Sequence, residues 1–326
     1  MSKLVTIYGG SGFLGRYIAS RMARAGWRVR VAVRRPNQAL FVRTYGTVGQ
    51  VEPVLCNVRD DASVAEAMRG ADAVVYSVGV LNELGRNTFD ATQHEGAERV
   101  ARLAAQQGVG RLVHISAIGA DSGSKASYAR TKRLGEEGVL EHFPDVVILR
   151  PSILFGPEDD FFNRFAGMAV MSPVLPVAGA ETKFQPVYVD DVAAAAELGV
   201  KGKAAAGIYE LGGPEIKTFR ELLQTMLEVI QRNRLIVNLP FGAAKFFAWW
   251  FDLWQKLSGG LIKAPLTVDQ VKNLSVDNVV APDAKGFDDL GIDTTAMAAV
   301  LPDYLYRFRV AGQYAAITAS AKNLKT

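Results

Sequence analysis

Two kinds of apolar pattern alternate along the first half of the chain. Short, nearly continuous runs rich in Val, Ile and Leu occur at Leu4–Tyr8, Arg28–Val33, Val51–Leu55, Ala73–Ser77, Arg111–Ile115 and Val146–Leu149. Between them, apolar residues return at helical spacing over Gly12–Ala25, Ala62–Arg69, Thr88–Gln107 and Tyr128–His142. The first pattern predicts strands and the second helices. Strand runs without polar alternation are expected where both faces of a sheet are covered. Strand, helix, strand repeated in this way predicts an α/β fold, a doubly wound parallel sheet with helices on both faces.

The rhythm changes after Arg150-Pro151. Pro173, Pro176, Pro186, Pro214 and Pro240 interrupt it, and Gly212-Gly213-Pro214 reads as a turn. Helices are predicted over Asp191–Val200, Thr218–Gln231, Ala243–Leu257 and Thr267–Leu274. We therefore divide the chain into a sheet domain, residues 1–160, and a smaller, mostly helical C-terminal lobe, residues 161–326. No flexible linker separates them, so the lobe is expected to complete the fold.

Composition narrows the class. The chain has 326 residues, 49% hydrophobic and 21% charged, the balance of an ordinary folded protein. One cysteine, Cys56, excludes an internal disulfide and fits a reducing compartment; its place at the end of an apolar run suits a buried thiol. The net charge of +4 permits an anionic surface as partner without requiring one. No basic run or finger spacing points to nucleic acid. His94, His114 and His142 are scattered, and no Cys/His cluster has metal-ligand spacing, so no metal is expected. No window is apolar over about 18 residues, so no spanning helix is predicted. A strand-like run from Leu4 leaves no room for a secretory signal before it.

Gly9, Gly12 and Gly15 stand at G-x-x-G-x-x-G spacing, directly after a strand and opening a helix. That context makes them a phosphate-binding turn of the Rossmann-like kind. Gly9 permits the tight turn, Gly12 leaves the backbone open to a pyrophosphate, and Gly15 allows close helix packing. Ser11, Phe13 and Leu14 complete the loop and the helix start, whose free N–H groups and partial positive charge favour phosphate. The second strand ends in Arg34-Arg35, where an acid would be expected for an NAD ribose. A guanidinium pair suits a 2′-phosphate and favours NADP(H). Asn57 and Val58, ending the third strand, are placed to meet the adenine.

Tyr128 and Lys132 lie four apart at the start of a helix and share a face. In a reductase the phenol would protonate a carbonyl, and the ammonium would lower the phenol pKa and hold a ribose. Together the glycine loop, the two arginines, Tyr128-x-x-x-Lys132 and "RPSILFG" (Arg150 to Gly156) resemble the extended or atypical short-chain dehydrogenase/reductase superfamily. The resemblance implies a Ser or Thr at the end of the fifth strand. Ser116 fits, although a slip of one residue puts Ala117 there. It also implies that Pro151, Ser152 and Ile153 lie against the nicotinamide, with Ser77, Val78 and Gly79 on the cofactor's other side.

The stretch "KFFAWWFDLWQKL", Lys245 to Leu257, holds three of the four tryptophans. On a helix, Leu253, Phe246, Leu257, Trp250, Trp254, Phe247 and Phe251 occupy one arc of roughly 160°, with Lys245, Asp252, Gln255 and Lys256 elsewhere. Such a face suits a membrane interface, a groove in a large partner or the chain's own core. With the following "APLTVDQVKNLSVDNVV", Ala264 to Val280, the chain resembles the nucleotide-binding accessory subunits of respiratory complex I, the proton-pumping NADH:quinone oxidoreductase. That resemblance implies a tightly held NADPH off the electron path. It implies docking to other complex I subunits where the peripheral and membrane arms meet. Residues 243–257 are then the docking helix, at the membrane interface. The expected place is the cytoplasmic side of a bacterial inner membrane, or the matrix side for a trimmed mitochondrial form. The rival reading is a soluble NADPH-dependent reductase or sugar-nucleotide epimerase or dehydratase using Ser116, Tyr128 and Lys132.

Overall fold

The first apolar run forms β1 (Leu4–Tyr8), buried along its whole length, and a glycine turn leads from it into α1 (Phe13–Arg24). β2 (Arg28–Val33) and β3 (Val51–Leu55) follow, joined through a 3-10 helical segment, Pro36–Tyr45, that the periodicity did not predict. Next come α2 (Asp61–Met68), β4 (Ala73–Tyr76), α3 (Glu95–Gln106), β5 (Arg111–Ile115), α4 (Ser127–His142) and β6 (Val147–Pro151). This computed structural model describes residues 2–83, 85–257, 266–310 and 312–314, with the backbone alone at 253, 255–257 and 313.

The expected single helix over Thr88–Gln107 is in fact a π-helical turn, Asp90–His94, running into α3. The buried Tyr76 hydroxyl donates to the Thr92 carbonyl and so engages a helix acceptor, and a widened turn accommodates it.

In the second half β7 (Leu154–Phe155), α5 (Phe162–Met171), β8 (Val174–Ala178), β9 (Lys183–Phe184), β10 (Val187–Tyr188) and α6 (Val189–Val200) lead to β11 (Gly207–Leu211). After it come β12 (Lys217–Thr218), α7 (Phe219–Val229), β13 (Leu235–Leu239), α8 (Phe241–Leu257), α9 (Val268–Asn273), α10 (Phe287–Leu290) and α11 (Met297–Leu305).

The main sheet has seven strands in the order β11-β6-β5-β4-β1-β2-β3. Every neighbouring pair is parallel. Helices cover both faces. Val5 and Ile7 point into a core with Leu14, Ile18 and Met22 of α1 and Val192 and Ala196 of α6. Tyr8 points to the opposite core, with Val64, Met68, Val100 and Val139. Each such side chain taken fully out of water contributes about 1.5–3 kcal/mol. Pro53 sits in β3, an edge strand, where a missing N–H can face solvent. The seventh strand, β11, comes from the second half of the sequence and pairs with β6 from Gly207↔Val147 to Leu211↔Pro151.

A third core joins α5, α7 and α11 through Phe162, Leu222, Met226 and Leu301. The lobe also carries short two-stranded ribbons, of which β8 with β13 runs parallel over five residue pairs. Thr218 and Glu221 close a capping box at the start of α7.

Candidate functional site

Strand order reverses between β1 and β4, and the connections leave in opposite directions there. A crevice forms at such a point, outside the carboxyl ends of the strands. The predicted residues gather along this edge. Gly9 to Gly15 follow β1, Arg34 and Arg35 follow β2, and Asn57 and Val58 follow β3. Ser77 to Gly79 follow β4, Ser116 follows β5, and Pro151 to Ile153 end β6 and follow it.

Gly9 has φ +78°, and a Cβ there would stand 2.7 Å from the Ser77 carbonyl oxygen. The turn after β1 and the end of β4 therefore touch, as two walls of one crevice. The Gly12 N–H closes the turn on the Gly9 carbonyl at 2.9 Å. Gly15 differs from expectation in what it approaches. A Cβ there would lie 2.3 Å from the Gly9 oxygen and 2.7 Å from the Gly10 Cα, so the first atoms the helix meets at this position belong to the loop, while Leu14, Ile18 and Met22 pack on the strand. α1 has no side-chain cap and no acidic residue in its first turn. Leu14 is buried, so it offers a ligand only its backbone N–H. An uncapped 12-residue helix start of this kind fits a phosphate.

Arg34 and Arg35 are exposed, and neither guanidinium makes an ion pair or hydrogen bond among the described residues. They remain available to an anion. Asn57 accepts the Arg59 N–H on Oδ1 at 3.2 Å, and Val58 is buried in the core beside Val64.

At the other end of the crevice, Lys132 is buried and donates from Nζ to the Ile115 carbonyl at 3.0 Å. A Cβ on Gly79 would be 3.8 Å from the same Nζ. The ammonium thus stands between the ends of β4 and β5. Its pKa is pushed down to about 8 by burial, against the opposing pull of Glu136. Tyr128 lies with its ring centroid 6.0 Å from Lys132 Nζ and packs edge-on against Phe89. The expected lowering of the phenol pKa does not occur. Burial pushes it up to about 12, since the ammonium is engaged with Ile115 and lies over the ring. Tyr128 is consequently a proton or hydrogen-bond donor at neutral pH.

The hydroxyl at the end of β5 belongs to Ser116, which is buried with Oγ lacking any partner. Ala117 is the more exposed of the two register candidates. A buried hydroxyl without a partner, one residue after the carbonyl that holds a buried ammonium, fits a polar ligand at the end of β5. Ser152 is placed differently. Its Oγ donates to Asn278 Oδ1 at 2.7 Å and is not free for a ligand. Asn278 and Asp269 were missed by sequence reasoning; both reach the site from well over a hundred residues away. Asp269 accepts the N–H groups of Ser127 and Tyr128 at 2.6 and 3.1 Å.

The aromatic stretch lies on α8. Its buried stripe is Ala244 and Ala248, and Asp252, expected on a polar side, continues that stripe and accepts the Val268 N–H at 3.1 Å. Phe246, Phe247, Trp249, Trp250, Phe251 and Trp254 are all exposed. The predicted arc therefore points away from its own lobe. The side chains of Leu253 and Leu257, placed on that arc from sequence, lie outside the described residues, as do Ala264 and Pro265 of the following stretch. Among the described residues no helix is long and apolar enough to cross a membrane.

A family model described as NAD(P)H-binding matches residues 9–163. NADH dehydrogenase (ubiquinone) 1 alpha subcomplex subunit 9, mitochondrial, of Arabidopsis thaliana is 32% identical, over 98% of this chain and 81% of its own. The NADH-ubiquinone oxidoreductase 40 kDa subunit, mitochondrial, of Neurospora crassa is 31% identical over 95% of this chain and 80% of its own. Among solved structures, the UDP-glucose 4-epimerase of Thermus thermophilus complexed with NAD superposes with a TM-score of 0.66. It covers 94% of this chain and 99% of its own at 20% identity, a likeness of fold.

Proposed function

The chain belongs to the family of the alpha subcomplex subunit 9 and 40 kDa subunits of NADH dehydrogenase (ubiquinone), and from that premise we propose that it is a dinucleotide-binding accessory subunit of a proton-pumping NADH:quinone oxidoreductase. The observation that carries this reading is the outward aromatic face of α8 on a chain that keeps a complete dinucleotide turn. A free-standing enzyme has no use for six exposed aromatic side chains between Phe246 and Trp254 of one helix; left bare, they form an aggregation patch. In the complex they meet a neighbouring subunit or the lipid interface where the peripheral and membrane arms join.

The bound group in this reading is NADP(H), chosen by the unpartnered Arg34 and Arg35 at the adenosine end. Tyr128 and Lys132 serve as ribose ligands, and Ser116 completes the polar wall. The nucleotide stabilises the subunit by mass action and does not turn over. The subunit lies peripherally, on the cytoplasmic side of a bacterial inner membrane or the corresponding matrix side.

The test is co-migration. Native membranes solubilised in mild detergent should carry this chain in the same fraction as NADH:quinone reductase activity. Recovery as a free soluble protein would overturn the proposal. A second reading, a soluble NADPH-dependent reductase, is favoured by the retained Ser116, Tyr128 and Lys132. It requires Tyr128→Phe to abolish a measurable NADPH-dependent reduction while the nucleotide stays bound. The accessory reading requires the same variant to leave assembly and NADH:quinone turnover unchanged.

A further inference from the structure

Three loops leave the carboxyl ends of β4, β5 and β6 and border the half of the crevice that holds Lys132 and Tyr128. Residues 267–278 hydrogen-bond to all three. Gln270 Nε2 donates to Asn82 Oδ1, after β4, at 3.2 Å. Beyond β5, the Asp269 carboxylate accepts from Ser127 and Tyr128, Lys272 Nζ donates to the Lys125 carbonyl at 3.2 Å, and Asn278 Nδ2 donates to the Ile118 carbonyl at 3.3 Å. At the end of β6, Asn278 Oδ1 takes the Ser152 hydroxyl.

Asp269 has a particular place among these contacts. α4 has no side-chain cap of its own at Ala126 and no acidic residue in its first turn. Its orphan N–H groups are satisfied instead by a carboxylate more than 140 residues away in sequence. The first turn of that helix carries Tyr128, and the next carries Lys132. Asp269 sits on α9, whose start is fixed by a capping box between Thr267 and Gln270 and by Asp252 of α8.

We propose that residues 267–278, latched to α4 by Asp269, are a strap whose release sets the rate of dinucleotide exchange. The proposal rests on the dinucleotide reading above. A strap that must lift for the ligand to pass slows entry and exit together. A contact that merely holds α4 in place slows exit alone. The two roles therefore separate in the rate constants.

The experiment is stopped-flow binding of NADPH to the full chain, followed by nicotinamide fluorescence, for the wild type, Asp269→Ala and Asp269→Asn. Each charge-assisted hydrogen bond is equivalent to about ten- to a hundredfold, so loss of the Asp269 carboxylate should release the strap at least about tenfold more often. Asp269→Ala should then raise association and dissociation rates by similar factors of about ten or more, with little change in Kd. Asp269→Asn, which keeps one acceptor oxygen, should fall between. Rates unchanged in Asp269→Ala, or a rise in dissociation alone with a matching loss of affinity, would overturn the strap. Should Asp269→Ala fail to fold, Asn82→Ala cuts the tether at β4 without touching the α4 cap; a joint rise in both rates supports the strap and unchanged rates refute it. A wild type that binds no NADPH would instead sink the dinucleotide reading and the strap with it.

Discussion

Arg150 forks onto Glu136, with Nε and Nη2 at 2.8 and 2.6 Å from the two carboxylate oxygens, and ties β6 to α4. Glu136 is fully buried, and Arg150 also reaches Glu210 of β11 at 3.3 Å. Removing Arg150 leaves the buried Glu136 carboxylate with only a long contact to Arg133, at 3.4 Å, at a cost approaching the roughly 3–5 kcal/mol of a broken buried pair. Arg150→Met should therefore lower the midpoint of denaturant unfolding strongly. The double variant Glu136→Leu with Arg150→Met should recover much of the loss. Equal midpoints for the single and double variants would show that the pair is not coupled.

Lys132 gives a pH prediction for the ligand-free protein. Its pKa is about 8 in the folded chain against 10.5 for an ordinary lysine. Below about 8 both folded and unfolded chains hold the proton, and the burial cost is present in full. Between about 8 and 10.5 the unfolded chain holds a proton that the folded chain has released, so this group makes stability rise with pH. The slope approaches about 1.4 kcal/mol per pH unit at its steepest. Lys132→Met should remove that slope between pH 8 and 9.5, measured by urea unfolding at several pH values. A parallel slope in the variant would reassign the effect to another group.

Arg34 and Arg35 should set cofactor choice. Each charge-assisted bond to a phosphate stabilises by about 1.5–3 kcal/mol. Replacing both by Ala should weaken NADPH about ten- to a hundredfold or more while leaving NADH within a few fold. Titration of both dinucleotides by calorimetry reads this directly. Equal losses would remove the assignment of the 2′-phosphate to these residues.

Trp250 and Trp254 are 43% and 55% exposed, and the stripe that holds α8 to its lobe is made of other residues, Ala244, Ala248 and Asp252. Aspartate at both positions should therefore leave thermal stability nearly unchanged in the isolated protein. The same double variant should fail to enter the membrane complex, as read by native gel. Unfolding with loss of nucleotide would mean that this face is core.

The parts legible in sequence were those written in local pattern. Buried parallel strands repeat as apolar runs, and the turn Gly9 to Gly15 is specified within seven residues. The aromatic arc of α8 follows from period alone. What escaped depended on distance or on competition. β11 is a five-residue run whose partner lies 60 residues earlier in the chain. The π-turn at Asp90 arises because Tyr76, on a neighbouring strand, claims a helix carbonyl. Proximity to Lys132 suggests a lowered phenol pKa for Tyr128, but burial dominates both groups and drives their pKa values in opposite directions. The Thr267-x-x-Gln270 signature announces α9, yet nothing local announces that Asp269 within it caps another helix.

The edge strand β11 bears on how this protein is made. Translation delivers β1 to β6 first, with β6, paired to β5 on one side, as an outer strand whose outward backbone donors and acceptors have no neighbour. About sixty further residues must leave the ribosome before β11 can shield that row, at ordinary elongation rates a wait of several seconds. During it the nascent chain offers a naked template to any other extended segment. Stalled or prematurely ended chains should therefore be the aggregation-prone species of this protein, and early binding of a nucleotide to the already finished glycine turn would not protect them.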